Sequence, residues 1–478
     1  MQKRSVDAVV IGAGSAGLNA AAELEKAGAD WLLVEAAQYG TTCARVGCMP
    51  SKLLVAAADA ADAVERAKLF GIRARDIEVD GEAVFDRVRR ERDRFVAGAI
   101  SDTERLPAAR RMLGRARFVG PTTVRVDETL ELDAKAVVIA TGSSPVVPPV
   151  FNAVRDRVLT SDGVFELTRV PESLAVIGTG IVGLELGQAL GRLGAEVTFL
   201  DRLTNVGPLT DPELQRYIRT VLGRTLNLEL GVTVESAEAA GRGIRLGWKS
   251  PEGEVRSGEF EQVLVAAGRR PNVAGLGLEK TGLELDERGM PMRWDPQTTQ
   301  CGDAPIFLAG DVNNHAPLLH EAIDEGRIAG ENAARYPDIA RHVRRTPLMI
   351  VFSEPQMAIA GQSYASLDHD RTEVAEASFE KQGRARVMGR NVGLVRLYAT
   401  RDDCILRGAE LFGPDAEHLA HLLSWAVQQR MTVQRLLRMP YYHPVLEEGL
   451  RTGLRRLARQ LRVERGRPCE DLAVSPGM

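Results

Sequence analysis

The sequence predicts an α/β protein with two Rossmann-like dinucleotide-binding units followed by a smaller α+β unit. Three observations predict it. A strand, a glycine turn, a helix and a second strand open the chain at Val6. The same pattern returns at Ser173, and after Pro347 it gives way to short strands and helices without a glycine fingerprint. At 478 residues the chain is also too long for one ordinary core.

The first unit begins with the apolar run Val6–Ile11, which reads as a buried parallel strand. Gly12-Ala13-Gly14-Ser15-Ala16-Gly17 follows, a helix runs on through Leu24, and the strand Trp31–Val34 ends at Glu35. Each glycine has a task. Gly12 permits the tight turn, Gly14 lets a pyrophosphate approach the backbone and the helix N-terminus, and Gly17 lets helix and strand pack closely. Glu35 stands where a carboxylate accepts a ribose hydroxyl. A strand before, a helix after and an acid at the second strand end lift the pattern above a bare glycine turn.

Next comes Gly40-Thr41-Thr42-Cys43-Ala44-Arg45-Val46-Gly47-Cys48-Met49-Pro50-Ser51-Lys52. Cys43 and Cys48 are too far apart on a regular helix to bond, so a disulfide needs one distorted turn, and Pro50 is expected to disturb the helix locally. From spacing alone two readings stand: a redox pair, or two inert buried thiols. The charged run Phe85–Phe95 interleaves arginines with acids and reads as a solvated helix. The strand Ala136–Ala140 ends at Gly142, which suits close backbone approach to a cofactor.

After a proline-rich linker the second fingerprint appears. Ser173–Ile177 is the strand, Gly178-Thr179-Gly180-Ile181-Val182-Gly183 the turn, and Glu196–Leu200 the next strand, ending at Asp201. Asp201 favours NAD over NADP, since a carboxylate accepts from the 2′-hydroxyl and repels a 2′-phosphate; the adjacent Arg202 argues the other way. Glu185 read alone is a first-turn acid complementing the helix dipole. Val263–Gly268 is a closing strand that runs into an Arg-Arg-Pro-Asn turn. Ile306–Leu308 leads to Gly310-Asp311, where the acid either takes a cofactor hydroxyl or caps the next helix, Leu319–Ala334. Gly326 and Gly330 in that helix permit close packing. Beyond Pro347, strands are expected near Leu348–Phe352, Glu373–Phe379, Val392–Ala399 and Ile405–Phe412. Helices are expected at Glu417–Gln429 and Val433–Arg438, before Tyr441-Tyr442-His443-Pro444.

Composition narrows the function classes. A net charge of −4 gives no reason to expect nucleic acid, and 7 histidines leave little for a histidine-rich metal site, so no metal is expected. Five cysteines with one close pair do not form a secreted disulfide scaffold. The N-terminal apolar run is too short for a signal peptide or a membrane span, and a cytoplasmic protein is expected.

The order of fingerprint, cysteine pair, second fingerprint, Gly-Asp strand end and C-terminal His-Pro resembles the class I flavin-dependent pyridine nucleotide–disulfide oxidoreductases, from Val6 to about Leu450. Within that family it is most similar to the dihydrolipoamide dehydrogenases; glutathione, mycothione and mercuric reductases share the plan. The resemblance implies a glutathione reductase-like layout. Residues 1–147 would open an FAD-binding domain, 148–270 bind NAD, 271–346 form a central domain completing the FAD site, 347–465 form a dimerisation domain, and 466–478 are a tail. It implies FAD at Gly12, Gly14, Gly17, Glu35, Lys52, Gly142 and Asp311, and NAD at Gly178, Gly180, Gly183 and Asp201, with Gly268 opening a family turn. Glu185 would pair with Lys52 beside the flavin.

The resemblance also implies a Cys43–Cys48 disulfide, Cys48 against the flavin and Cys43 as the interchange thiol. His443, oriented by Glu448, would be the base, acting on the cysteines of the other subunit of a homodimer. For an isolated His-Pro pair the plain reading is a histidine packed in a turn. The implied reaction is oxidation of protein-bound dihydrolipoamide with reduction of NAD⁺, on a lipoyl domain of a 2-oxoacid dehydrogenase or glycine cleavage complex. The alternative is NAD(P)H-dependent reduction of another small disulfide, such as that of glutathione or mycothiol. Thr41 and Thr42 replace the family's usual glycines, Arg45 an asparagine and Val445 a threonine. Arg45 either favours an acidic substrate or pairs with a local acid. Cys469 stands alone, without the vicinal pair of a mercuric reductase, and Cys301, Cys404 and Cys469 are expected to be dispensable.

Overall fold

The computed structural model describes residues 1–74 and 78–462; the expected tail and Cys469 lie outside the described residues. Its first sheet is organised by the strand Gln2–Ile11, whose last residues, Ala8 to Ile11, are buried on both faces, as a central parallel strand requires. Trp31–Glu35 and then Arg111–Leu113 lie parallel on one side, and Leu130–Ile139 lies parallel on the other. Ile306–Leu308, from the segment expected as a central domain, pairs in parallel with Leu130–Ile139 and so completes this first sheet. Thr123–Val126 and Ala116–Phe118 extend it antiparallel.

Two helices close one face of this sheet. Ser15–Lys26 buries Ala16, Gly17, Ala20, Ala21 and Leu24, the small-residue face of an amphipathic helix. Leu319–Arg335 lies directly against it. A Cβ on Gly326 would fall 2.2 Å from the Ala16 carbonyl oxygen, and one on Gly330 would fall 2.4 Å from that of Ala20. The expected close packing at these glycines is therefore present, and its partner is the first nucleotide helix.

The second sheet repeats the plan with parallel strands in the order Asn227–Leu230, Glu196–Asp201, Ser173–Ile177, Gln262–Val265 and Val158–Leu159. An antiparallel meander, Thr233–Ala240, Gly243–Lys249 and Val255–Phe260, packs beside it. A short ribbon, Ser143–Pro145 with Arg269–Pro271, joins the equivalent turns of the two units.

The C-terminal unit is a five-stranded antiparallel sheet in the order Leu348–Val351, Gln356–Gly361, Leu406–Gly413, Leu394–Thr400 and Thr372–Ser378. Gln356–Gly361 is absent from the sequence-based expectation. Its run carries small residues beside Pro355 and no β-branched alternation, and the sheet, not local propensity, makes it a strand. Ala416–Gln428, Val433–Leu437 and Glu448–Gln460 cover this sheet. No described helix is long and apolar enough to cross a membrane.

Candidate active site

The two glycine turns share one hydrogen-bond scheme. Gly12 N–H donates to the Val34 carbonyl at 2.8 Å, and Gly178 N–H to that of Leu200 at 2.8 Å. Ala13 N–H donates to Glu35 Oε2 at 2.8 Å, and Thr179 N–H to Asp201 Oδ2 at 2.6 Å, each across 22 residues. Gly12 and Gly178 have φ of +109° and +107°. A Cβ on Gly17 would lie 1.8 Å from the Gly12 oxygen, and one on Gly183 would lie 2.0 Å from that of Gly178. Gly14 and Gly180 instead face open space, with no heavy atom within 4 Å of an added Cβ, and each caps a helix without a side-chain cap. Uncapped first-turn N–H groups at an open glycine form an anion cradle.

Gly142 and Gly268 are equivalent as well. Each lies beyond a strand end with positive φ, +67° and +110°, and open space where a Cβ would stand. Asn272 stitches these turns together, its N–H donating to the Gly142 carbonyl at 2.9 Å and its amide to that of Thr141 at 3.0 Å. Asp311 lies at the end of the neighbouring strand and opens the turn Asp311–Asn313. It does not cap the helix Leu319–Arg335, which has no side-chain cap. Its Oδ2 accepts from Ser143 Oγ at 2.9 Å, and Arg269 Nε donates to the same hydroxyl at 2.8 Å. Glu325, fully buried, accepts Gly310 N–H at 2.8 Å and the Asn313 amide at 2.7 Å, fixing the turn from below. Ser143, Arg269 and Glu325 went unnoticed in the sequence, because their partners are fixed only by tertiary contact. Gly12, Gly14, Gly17, Glu35, Gly142 and Asp311 thus share the carboxyl edge of the first sheet, where ligands bind in open parallel sheets.

The cysteine stretch forms two helices, Thr42–Val46 and Cys48–Arg66, broken at Gly47 with φ −121° and ψ −120°. That break is the distortion the spacing demanded. Thr41 caps the first helix, its Oγ1 accepting Ala44 N–H at 3.3 Å. Pro50 causes no disturbance: it sits in the first turn of Cys48–Arg66, where its missing N–H costs nothing. The expected disulfide is not formed here. Cys43 and Cys48 are free thiols, half-buried and exposed respectively, and each shifts the titration of the other. Donation from Cys43 and the positive charge of Lys52 outweigh burial and lower the Cys48 thiol to about 7. The same hydrogen bond and burial push Cys43 far up. The pair therefore carries its charge on Cys48.

Lys52 Nζ lies 2.5 Å from Glu185 Oε2 and 4.5 Å above the Phe352 ring. Glu185 is buried and is the fifth residue of Ile181–Arg192, so the first-turn dipole reading is wrong: its partners are Lys52 and, at 3.0 Å, the Phe352 N–H. Arg45 makes no ion pair among the described residues; it donates to the Tyr39 carbonyl at 2.7 Å and so braces the loop before the cysteines.

His443 Nδ1 lies 3.1 Å from both oxygens of Glu448, the first residue of Glu448–Gln460. That contact holds the Glu448 carboxyl below its ordinary value. Glu448 also accepts the Val445 N–H at 3.3 Å, which uses the backbone where the family carries a threonine. The His443 side chain is 79% exposed. Among the described residues no hydrogen bond or ion pair joins it to Cys43 or Cys48.

Residues 6–326 match the pyridine nucleotide-disulphide oxidoreductase family, and residues 347–453 match its dimerisation domain. The chain belongs to that family. This oxidoreductase is 33% identical over 468 residues to dihydrolipoyl dehydrogenase 3 of Pseudomonas aeruginosa, covering 94% of the chain and 97% of that protein. It is 30% identical over 451 residues to dihydrolipoyl dehydrogenase of Geobacillus stearothermophilus, covering 92% and 94%. Among solved structures, LpdA from Mycobacterium tuberculosis superimposes with a TM-score of 0.79 at 25% identity, over 95% of this chain and 100% of that one. The HOCl-induced flavoprotein disulfide reductase RclA from Escherichia coli gives 0.79 at 23% identity, over 94% and 99%, a likeness of fold.

Members of this family use FAD and NAD(H), and so does this oxidoreductase. Its residues fit two such groups: two open glycine cradles at helix N-termini, each with an acid at the adjacent strand end.

Proposed function

We propose that the protein oxidises dihydrolipoamide, carried on a lipoyl domain, to lipoamide and passes the electrons to NAD⁺ through Cys43 and Cys48. The observation that carries it is the pair of thiols set on either side of the Gly47 break, near enough to shift one another, with the Lys52 charge lowering Cys48. The likeness to dihydrolipoyl dehydrogenases over more than nine-tenths of the chain favours lipoamide over other disulfides. A cytoplasmic homodimer goes with this reading.

The residues divide the work. In the oxidised pair, a substrate thiol gives its proton to His443 Nε2, since Nδ1 faces Glu448. The substrate sulfur attacks Cys43 Sγ; the Cys43–Cys48 bond breaks and Cys48 leaves as the thiolate that Lys52 stabilises. The second substrate sulfur attacks its partner in the mixed disulfide and releases cyclic lipoamide; Cys43 leaves with the proton held by His443, and His443 takes up the proton of the second substrate thiol in its place. Bound FAD would supply the two-electron relay to NAD⁺; the Cys43–Cys48 bond re-forms as Cys43 gives up its proton, so that one of the two substrate protons ends in NADH and the other is released from His443. Dithiol and NAD⁺ become disulfide, NADH and a proton. His443 acts on the thiols of the partner subunit, a reading supported by its exposure and by the dimerisation domain that carries it.

Steady-state kinetics with dihydrolipoamide and NAD⁺, set against glutathione and mycothiol disulfides with NADH and NADPH, tests the substrate. The reading requires the largest kcat/KM for the lipoamide couple. A larger value for another disulfide would transfer the site to that substrate.

A further inference from the structure

The acids at the two strand ends are not held alike. Glu35 reaches its turn with two methylenes and, among the described residues, takes only backbone donors, Ala13 N–H at 2.8 Å and Ala37 N–H at 3.0 Å. Asp201 is one methylene shorter, and the turn meets it with a side chain. Thr179, equivalent to Ala13 and 1% exposed, donates to Asp201 Oδ2 twice, from N–H at 2.6 Å and from Oγ1 at 2.8 Å. Among the described residues Oδ1 takes only the Leu203 N–H, at 2.9 Å. A carboxylate oxygen offers about two lone-pair sites, so Oδ2 is saturated and Oδ1 keeps one acceptor position. The exposed Arg202 lies next in the chain, a cation able to hold a phosphate where the acid declines one.

We propose that Thr179 sets the dinucleotide selectivity of the second site by gripping Asp201. Its buried hydroxyl pins Oδ2 to the floor of the turn, so that Oδ1 is the oxygen presented to a ribose 2′-hydroxyl. The carboxylate's charge then stays fixed at the turn by the Thr179 and Leu203 donors. Thr179 is a positioning residue: it acts through Asp201. Its hydroxyl has one hydrogen, and the Asn205 carbonyl at 3.2 Å is the competing acceptor. The nearer, charged oxygen is the stronger one. Without the hydroxyl the short carboxylate keeps the Thr179 and Leu203 N–H donors but loses its fixed rotamer, and Arg202 competes for the 2′ position. This inference rests on reading the second fingerprint as the nicotinamide nucleotide site.

The test is binding, with no turnover. ADP-ribose and 2′-phospho-ADP-ribose are titrated calorimetrically into FAD-loaded wild type, Thr179→Val, Thr179→Ser, Asp201→Ala and the Thr179→Val/Asp201→Ala double variant. Flavin content and melting temperature serve as folding controls. Valine keeps the β-branched shape and removes the hydroxyl. Wild type should prefer ADP-ribose. Thr179→Val should lower that preference about tenfold, the size of one charge-assisted hydrogen bond. Thr179→Ser should restore it, and Thr179→Val should change nothing further once Asp201 is alanine. An unchanged preference in Thr179→Val, or equal loss of both ligands, or additivity with Asp201→Ala, would overturn the role of Thr179. Failure of wild type to bind either ligand would instead remove the assignment of the site, and the inference with it.

Discussion

Lys52 Nζ sits 2.5 Å from Glu185 Oε2, and this single pair joins the helix that carries Cys48 to the helix that opens the second nucleotide site. Glu185 is buried and is also bonded to the Phe352 backbone, so the C-terminal unit holds the same carboxylate. One ion pair therefore ties the thiols, the second nucleotide unit and the dimerisation domain together. Removing Lys52 leaves the buried Glu185 carboxylate without its counter-ion, whereas Lys52 without Glu185 is still 35% exposed to water.

Lys52→Met should slow flavin reduction by NADH about a hundredfold, the scale of one lost electrostatic stabiliser, while NADH affinity changes little. The flavin potential should become more negative, since a cation beside the accepted electrons is gone. Stopped-flow reduction and a redox titration check this; an unchanged potential with unchanged kinetics would leave Lys52 without a role.

Reduced enzyme should show one thiolate forming with a midpoint near pH 7, assigned to Cys48, with Cys43 remaining a thiol through neutral pH. The sign follows from the depressed value. Between about pH 7 and the usual cysteine range near 8.5 the unfolded chain holds a proton that the folded chain has released, so this group stabilises the reduced fold as pH rises and stops doing so as pH falls through 7. Thiolate absorbance against pH measures the midpoint. Cys48→Ser should abolish it, and Lys52→Met should move it upward.

The two fingerprints should fail separately. Gly17→Ala drives a Cβ to 1.8 Å from the Gly12 oxygen, and Gly183→Ala drives one to 2.0 Å from the Gly178 oxygen. Each costs about 1–3 kcal/mol of local overpacking or more. Gly17→Ala should emerge depleted of FAD. Gly183→Ala should keep its FAD and lose reduction by NADH. Flavin absorbance and anaerobic NADH titration separate the outcomes; loss of FAD in both would mean that the turns are only structural.

His443→Gln should lower disulfide-dependent turnover by about 10²–10⁴-fold, as removal of a general acid–base does, and spare NADH-driven reduction of ferricyanide. Mixed with Cys43→Ser and reassociated, it should give heterodimers with one working site of two. Heterodimers without disulfide-dependent activity would place the base and the thiols in one chain.

The glycine turns were legible because their requirements are local: positive φ at Gly12 and Gly178, and no room for a Cβ at Gly17 and Gly183. The need for a broken turn between Cys43 and Cys48 was legible from spacing, although its place at Gly47 was not. Contacts that close over long stretches of chain were hidden. Ser143 meets Asp311 across 168 residues and Arg269 across 126, and no local pattern announces either. Glu185 read alone is a helix-dipole acid; only the family resemblance pointed to Lys52, 133 residues earlier, which the structure places beside it. The strand Gln356–Gly361 was missed because its neighbours in the sheet, not its own residues, make it a strand.

The most direct test is the state of the two cysteines through one half-reaction. Oxidised, FAD-loaded enzyme is digested under non-reducing conditions and mapped by mass spectrometry, before and after one equivalent of dihydrolipoamide added anaerobically. A redox pair requires a Cys43–Cys48 linked peptide before addition, and afterwards two new alkylatable thiols at those positions with Cys301 and Cys404 unchanged. Cysteines found unlinked in the oxidised enzyme, with the same thiol count before and after substrate, would contradict electron transfer through Cys43 and Cys48.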